Sequence, residues 1–375
     1  MIQIRDKKSC AGCTACMAAC PKDAISMVVD EQGFLYPTVI TDKCVNCGLC
    51  DMVCPFDKPL HEETEVCAYA IKHKDPKVLI ESTSGGIFTA VSDYVLTHGG
   101  VVYGAALDEN IVVRHIRATT AHERDRLRGS KYVQSDLGDT FRLVKRDLKD
   151  KRIVLFTGTP CQVAGLKRFL NSKCDGLICL DLICHGVPSP LIYSEHIRFL
   201  SKKLKTKITD YKFRPKKWGW HIHRELVCGD KKIYHSTPYT DLWRTLYYSR
   251  LVTRPSCNNC PYSNLQRHGD ITIGDCRGID KVLPQFGSYD GVTLAIVNTQ
   301  TGKDVLAKIS KDIIFERLNI EDVMQPPLKQ SSKANISSES FFASCRMYGY
   351  EKTIVKKFGR LYPLKYYIKK WIGRY

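Results

Sequence analysis

Eight cysteines near the start of the chain repeat one spacing twice, and this repeat constrains the fold more than any other feature. Each run reads C-x2-C-x2-C-x3-C-P, with a proline directly after the fourth cysteine. Three thiolates on a tight loop can cap one face of a metal cubane, while the fourth leaves on the helix that follows. We therefore expect the N-terminal part of the chain to fold around metal clusters.

The spacing is that of bacterial two-cluster ferredoxins, in which the fourth cysteine of each run binds the other cluster. We predict two [4Fe–4S] clusters, the first held by Cys10, Cys13, Cys16 and Cys54 and the second by Cys44, Cys47, Cys50 and Cys20. The predicted ferredoxin domain covers residues 1–62. Residues 25–41 join the two runs and are typical of a β-hairpin, because turn residues separate two apolar segments.

The length and cysteine content indicate more domains and a reducing environment. At 375 residues the chain is too long for one ferredoxin module. No apolar run reaches the roughly 18 residues that span a bilayer, and no signal-peptide core precedes the first cysteine. Because the cluster thiols must stay reduced, we expect a cytoplasmic protein in a reducing, anaerobic cell.

The charge of the chain leaves several classes of partner open. Its 57 basic and 39 acidic residues give a formal charge of +18, which bound clusters would partly offset. Nucleic acid, an anionic membrane, an acidic redox partner or a phosphorylated substrate would each complement this charge. We find no helix-turn-helix pattern or aromatic-basic RNA signature, so a nucleic-acid partner is not expected.

The C-terminal segment differs in composition from the rest. Residues 326–375 are predicted to form a linker followed by a basic, aromatic tail. Within the tail, residues 351–375 suit either a terminal helix packed on its own domain or peripheral contact with a membrane surface. Pro363 divides the tail, which excludes one long amphipathic helix.

From residue 67 the sequence alternates strand-like and helical segments. Helices are predicted at residues 87–96 and 162–170 and strands at 101–107, 152–156 and 176–183. This alternation is typical of an α/β domain, here expected over residues 67–325. The predicted fold class is therefore α/β (α+β overall), a small two-cluster ferredoxin-type domain followed by a larger α/β domain.

Two of the remaining cysteines follow predicted strands. The strand at residues 152–156 leads to Cys161, and the strand at 176–183 leads to Cys184. If the strands are parallel neighbours, both cysteines lie at the carboxyl edge of the sheet, where ligands gather. Cys161 also opens a helix, a position that favours a thiolate, whereas Cys184 alone could be a small core residue.

A second pair, Cys257 and Cys260, has C-x2-C spacing and forms half of a metal site. Two more soft ligands are needed, and Cys161 and Cys184 are the best placed. Cys276 is a rival for the fourth position, because it lies near this pair in sequence.

Two loops carry residues suited to a phosphorylated cofactor. Residues 82–86 (Ser-Thr-Ser-Gly-Gly) open a predicted helix and suit a pyrophosphate, although a simple helix cap explains them as well. Residues 129–135 place a lysine, a tyrosine and a glutamine in one further loop.

Taken in order, these motifs, with residues 157–162, 184–189 and 270–275, resemble the coenzyme F420 hydrogenase/dehydrogenase beta-subunit family over roughly residues 67–325. The fused ferredoxin resembles a branch often encoded with surface-polysaccharide genes. The resemblance implies FAD and a third [4Fe–4S] cluster on Cys161, Cys184, Cys257 and Cys260. It implies that the flavin contacts are Ser84, Gly85, Gly86, Lys131, Tyr132 and Gln134. Cys276 and Arg277 depart from the aromatic residues usual in the family.

The expected function is that of an iron–sulfur flavoprotein oxidoreductase. A soluble carrier (a ferredoxin, a reduced deazaflavin or similar) would supply electrons, which pass to FAD and to a small organic substrate. His185 is a candidate proton donor beside the flavin, or a residue that only orients its neighbours. The alternative function is a non-catalytic electron-transfer subunit that docks on a separate redox enzyme.

Overall fold

The computed structural model describes most of the chain, namely residues 2–4, 6–56, 66–171, 175–220, 222, 224–230, 232–237, 240–287 and 289–359. The polar stretch at residues 58–65 and the tail from residue 360 onward, including Pro363, lie outside the described residues.

The N-terminal region is built from two short helices and one hairpin. Its elements are α1 (Ala15–Ala19), β1 (Ile25–Val29), β2 (Leu35–Val39) and α2 (Leu49–Met52). The two strands pair antiparallel, and Gly33 supplies the positive φ of 84° that their turn requires. The Asp30 carboxylate accepts backbone N–H bonds from Gln32 and Phe34 at 3.0 and 2.9 Å, which closes the turn. The predicted hairpin is confirmed.

The larger region contains one eight-stranded mixed sheet. Its first elements are β3 (Cys67–His73), α3 (Pro76–Glu81), α4 (Ile87–Thr97), β4 (Val101–Leu107), β5 (Val113–Ala118), α5 (Ala121–Asp125), α6 (Thr140–Lys149), β6 (Val154–Gly158), α7 (Pro160–Leu170), β7 (Leu177–Leu182) and α8 (Pro190–Leu204). Three short strands and a helix follow, β8 (Ile208–Lys212), β9 (Leu226–Gly229), β10 (Ile233–His235) and α9 (Leu242–Tyr248). The last elements are β11 (Ile271–Asp275), α10 (Ile279–Val282), β12 (Thr293–Val297), α11 (Gln300–Ile309), β13 (Ile313–Leu318), α12 (Ser338–Tyr348) and α13 (Tyr350–Phe358).

The strand order of the main sheet is β13-β3-β12-β11-β7-β6-β4-β5. Strands β4, β6, β7 and β11 are parallel neighbours, and the other pairs are antiparallel. Val102 of β4 packs with α4 and α11, whereas Val101 and Tyr103 pack with α6 and α7. Because adjacent residues of a strand point to opposite faces, helices cover both faces of the sheet. This arrangement confirms the predicted α/β class and the parallel pairing of β6 with β7.

The C-terminal helices cover a second, smaller sheet. Strands β8, β9 and β10 form an antiparallel sheet, and α13 packs on α8 and α12. Phe341, Phe342 and Tyr350 bury their rings in this core, and the Tyr350 hydroxyl lies 2.9 Å from Nδ1 of His196. The prediction of a linker did not anticipate α12. Up to residue 359 the tail forms a helix packed on its own domain, which is one of the two arrangements predicted for it. No helix in the described ranges has the length and apolar character needed to cross a membrane.

Candidate functional site

Two small cavities in the N-terminal region are each lined by four cysteines. One is lined by Cys10, Cys13, Cys16 and Cys54, and the other by Cys20, Cys44, Cys47 and Cys50. The fourth cysteine of each run follows a helix that carries it to the other run's cavity. These are the two sets predicted from the spacing, and their roles as ligands stay predictions.

The two sets differ in exposure. Cys13, Cys16 and Cys54 of the first set are buried, whereas Cys47 of the second set is exposed. Burial, together with the nearby thiols of Cys10 and Cys54, raises the pKa of Cys16 to about 12. Such thiols keep their protons unless a cation replaces them, so the donor set fits a soft metal cluster. Over the described ranges, no three His, Cys, Asp or Glu side chains are arranged to hold one metal ion.

A large cavity lies at the carboxyl ends of the parallel strands. It has a volume of about 330 Å³ and is lined by the ends of β6, β7 and β11 and by the start of α4. Pockets for cofactors and other small molecules lie in this size range and at this edge of open sheets. The prediction that the residues following β6 and β7 meet at one edge is confirmed.

Four cysteines from three segments line this cavity. Cys161 is the second residue of α7, Cys184 follows β7, and Cys257 and Cys260 lie in and directly after the 3₁₀ helix Pro255–Asn259. Cys276 does not line the cavity and is buried among apolar side chains. Of the two predicted ligand sets, the structure therefore brings together the one that contains Cys184.

Whether Cys161 is a thiolate depends on a bound cation. Burial, together with the nearby thiols of Cys260 and Cys184, raises the pKa of Cys161 to about 12, so the free thiol keeps its proton until a cation replaces it. The Thr159 hydroxyl, 3.2 Å from its sulfur, lowers the pKa but does not offset this burial. Burial likewise raises the pKa of Cys184 to about 11. These sulfurs suit a bound cluster better than a free nucleophile.

Five of the six predicted flavin contacts line the large cavity, namely Ser84, Gly86, Lys131, Tyr132 and Gln134. Gly85 does not. A Cβ atom at Gly85 would lie 1.9 Å from the carbonyl oxygen of Ile71. The backbone N–H of Gly85 donates to the Thr293 hydroxyl at 2.8 Å. Gly85 therefore lets the loop pack closely on β3 and β12.

The polar groups of the two loops are already partly engaged. The Ser84 hydroxyl donates to the carbonyl oxygen of Val292 at 2.7 Å. The Lys131 ammonium donates to the carbonyl oxygens of Arg126 and Arg128 at 2.9 and 2.8 Å. Burial lowers the pKa of Lys131 to about 7, so near neutral pH it is only partly charged. It is therefore a weaker electrostatic ligand for phosphate than an exposed lysine.

Aromatic and charged side chains complete the cavity wall. The rings of Tyr132 and Tyr247 stack with their centroids 4.8 Å apart. Arg214 forms an ion pair with Asp275. Burial alone would raise the pKa of the Asp275 carboxyl, but the ion pair outweighs burial and the pKa is lowered. No sequence motif pointed to Arg214.

His185 also lines the cavity. Burial, together with the positive charges of Arg277 and Arg250, lowers the pKa of its imidazole to about 4. The ring is neutral near pH 7, which suits hydrogen bonding and orientation of its neighbours better than proton donation by an imidazolium.

The N-terminal region packs directly against the large cavity. The Tyr262 hydroxyl donates to the carbonyl oxygen of Pro55 at 2.5 Å, and the Gln134 amide donates to that of Ala11 at 3.0 Å. Ala11, from the first cysteine run, itself lines the cavity. Sequence reasoning missed Tyr262, and its position two residues after Cys260 was the only available signal.

Two segments of the chain match known families. Residues 9–58 match the 4Fe-4S dicluster domain, and residues 151–323 match the family that comprises the C terminus of the coenzyme F420 hydrogenase/dehydrogenase beta subunit. These matches confirm the resemblance predicted from the motifs. A search of curated proteins gave no match.

Among solved structures, the chain is similar to a chain of the F420-reducing [NiFe] hydrogenase complex from Methanosarcina barkeri, studied with xenon. The two are 17% identical, with a TM-score of 0.48, over 80% of this chain and 94% of the other.

Proposed function

Starting from a 4Fe–4S dicluster region joined to a region related to F420 hydrogenase/dehydrogenase beta subunits, we propose that the chain is an iron–sulfur flavoprotein oxidoreductase. Its electron donor would be a soluble carrier such as a ferredoxin or a reduced deazaflavin, and its acceptor a small organic substrate. When bound, the clusters supply single-electron transfer, and FAD converts single electrons into a hydride-equivalent pair.

One observation supports this proposal above the others: a single cavity is shared by the cysteines of the large region, the predicted flavin motif and the first cysteine run. Cys161 and Cys184 lie on its wall together with Ser84 and Tyr132, and Ala11 reaches it from the N-terminal region. Residues that would hold a third cluster and a flavin therefore share one space, next to the buried N-terminal set.

The residues of the cavity can bind and orient a flavin. The N-terminus of α4, an 11-residue helix, opens at the cavity after Gly86 and provides free backbone N–H groups for a pyrophosphate. Tyr132 and Tyr247 offer apolar ring faces, and the burial of this wall excludes water from a reduced cofactor.

The substrate proposal rests on charge. Arg277 lines the cavity, where its guanidinium group suits a phosphorylated metabolite, whereas Arg128 in the same wall is paired with Glu81 and Asp125. A phosphorylated or nucleotide-linked sugar fits both this chemistry and the resemblance to a branch encoded with surface-polysaccharide genes.

Cofactor content tests the proposal. The full chain, purified without oxygen, should contain about twelve irons and about one flavin, as three cubanes and one FAD require. Replacing Cys257 by Ser should remove about four irons, whereas Cys228→Ser, in β9 and away from the cavity, should remove none. Iron without flavin in the wild-type protein would contradict the flavoprotein assignment.

The exposure of Cys47, in the set formed by Cys20, Cys44, Cys47 and Cys50, favours an alternative function, that of a non-catalytic electron-transfer subunit. Around exposed Cys47, the side chains of Val45, Leu49 and Met52 are 58%, 38% and 61% exposed, which suits a docking partner. Dithionite-reduced ferredoxin distinguishes the two functions. An oxidoreductase should turn over phosphorylated sugars as the isolated chain, whereas an electron-transfer subunit should reduce only its bound flavin and clusters.

A further inference from the structure

Arg254 belongs to the large region but is buried in the N-terminal region, with 0% of its surface exposed. Its Nε donates to the carbonyl oxygen of Cys10 at 2.9 Å, and one terminal nitrogen donates to that of Leu35 at 3.0 Å. The other terminal nitrogen donates to the side-chain oxygen of Gln134 at 3.0 Å. The guanidinium also lies 4.3 Å from the centre of the Tyr36 ring. Each of its three guanidinium nitrogens therefore donates a hydrogen bond.

These acceptors are all neutral, which sets Arg254 apart from other buried arginines. Arg214 forms an ion pair with Asp275, and Arg267 lies 3.2 Å from a carboxylate oxygen of Asp181. No ion pair within the described ranges involves Arg254. A buried positive charge without a negative partner is costly, so a counter-charge is expected at this place.

The first cysteine set can supply this counter-charge when it holds a cluster. A terminal nitrogen of Arg254 lies 3.9 Å from the sulfur of Cys10. The backbone carbonyl of Arg254 also accepts the N–H of Cys257 at 3.0 Å, so the residue joins the first set to the cysteines of the large cavity.

We propose that Arg254 is the buried counter-charge of the cluster held by Cys10, Cys13, Cys16 and Cys54, and that it raises the reduction potential of this cluster above that of the other N-terminal cluster. This inference rests on the predicted ligand sets. A fixed positive charge favours the reduced form, which is the more negative one, and a buried site screens this effect little. The second set has its Cys47 exposed to water, and Arg254 touches none of its cysteines in the described structure.

The difference in reduction potential sets the direction of electron transfer between the two N-terminal clusters. With the higher potential at the buried set, an electron that enters at the exposed set is drawn toward the large cavity. Arg254 then acts as a positioning residue, because it fixes the Cys10 loop and tunes the cluster without touching the substrate.

The test is a redox titration of the full chain, purified anaerobically and followed by electron paramagnetic resonance. Arg254→Gln removes the charge at nearly equal size, and Arg254→Lys keeps it. Arg142→Gln is the matched control, because Arg142 also donates to the N-terminal region, at the Met17 carbonyl, but is 37% exposed and paired with Asp23. Cys47→Ser identifies the signal of the exposed set.

We expect Arg254→Gln to lower one midpoint potential by about 59 mV or more, a tenfold change for one electron. That midpoint should not be the one altered by Cys47→Ser. Arg254→Lys should restore most of the shift, and Arg142→Gln should cause little change. An unchanged potential in Arg254→Gln, or an equal shift in Arg254→Lys, would overturn the inference.

Loss of the cluster is also informative. If Arg254→Gln loses it while Arg254→Lys keeps it at the wild-type potential, the counter-charge is supported. Loss in both variants shows a purely structural role and overturns the inference alone. A wild-type protein with no N-terminal clusters overturns the proposed function, and the inference with it.

Discussion

The sulfur of Cys13 packs on Gly165 so closely that a Cβ atom at position 165 would lie 2.9 Å from it. Gly165 belongs to α7, the helix that carries Cys161 at its start. The missing side chain thus brings the buried N-terminal cysteine set next to the cysteines of the large cavity. This short separation is what a chain of redox centres requires.

Substitution of Gly165 tests this contact. In an ordinary helix interior, Gly→Ala stabilises by roughly 0.5–1 kcal/mol. Here we expect Gly165→Ala to lower the unfolding temperature, and Gly165→Val to lower it further and reduce the iron content, because Cys13 must move. Thermal unfolding and iron analysis of anaerobic protein measure both effects. A gain in stability for the alanine variant would show that the contact is loose.

Matched alanine substitutions can distinguish whether Cys184 or Cys276 is the cluster ligand. Only Cys184 lines the cavity, so Cys184→Ala should lower the iron content by about four atoms per chain, one cubane. Cys276→Ala should keep its iron, because Cys276 is enclosed by apolar side chains. Equal iron loss in the two variants would speak against the ligand set that contains Cys184.

Gly85 is expected to matter for stability. A Cβ atom there would lie 1.9 Å from the Ile71 carbonyl oxygen, and overpacking of this kind costs about 1–3 kcal/mol. We expect Gly85→Ala to lower the free energy of unfolding by at least this amount. Ser84→Ala, the neighbouring control, loses one hydrogen bond to Val292 and should cost about 1 kcal/mol. Urea denaturation compares them, and a smaller loss for Gly85→Ala would refute the close-packing role.

Lys131 predicts a pH dependence of stability. Burial lowers its pKa from an ordinary 10.5 to about 7, so between these values the unfolded chain binds more protons than the folded one. The contribution of Lys131 to the free energy of unfolding should therefore rise with pH from about 7 to about 10. Because other groups also titrate, the quantity to measure is the difference between wild type and Lys131→Met at several pH values. Lys77→Met, at an exposed lysine, is the matched control.

Local patterns predicted much of the fold and part of the site. The cysteine spacing predicted which thiols share a cavity, because three thiols lie close together in the chain and the short helix before the fourth carries it to the other cavity. The strands before Cys161 and Cys184 were predicted from short apolar runs, and their parallel pairing places both cysteines at one edge.

The remaining features depend on contacts between distant segments. Arg254 meets Cys10 across 244 positions of the chain, and no local pattern announces such a partner. The raised pKa of Cys161 likewise reflects burial between two regions, whereas its sequence context indicated only a helix start. Helix α12 was missed because it begins in the segment taken as a linker, and only tertiary packing reveals what its Phe341 and Phe342 cover.

The crossing of the fourth cysteines has a consequence for assembly. Helix α1 carries Cys16 of one set and ends at Cys20 of the other, and α2 carries Cys50 and is soon followed by Cys54. When either helix is ordered around one metal group, it therefore also brings a cysteine of the other set into position. Loading of the two N-terminal sites should consequently be cooperative, with empty and doubly filled chains favoured over half-filled ones.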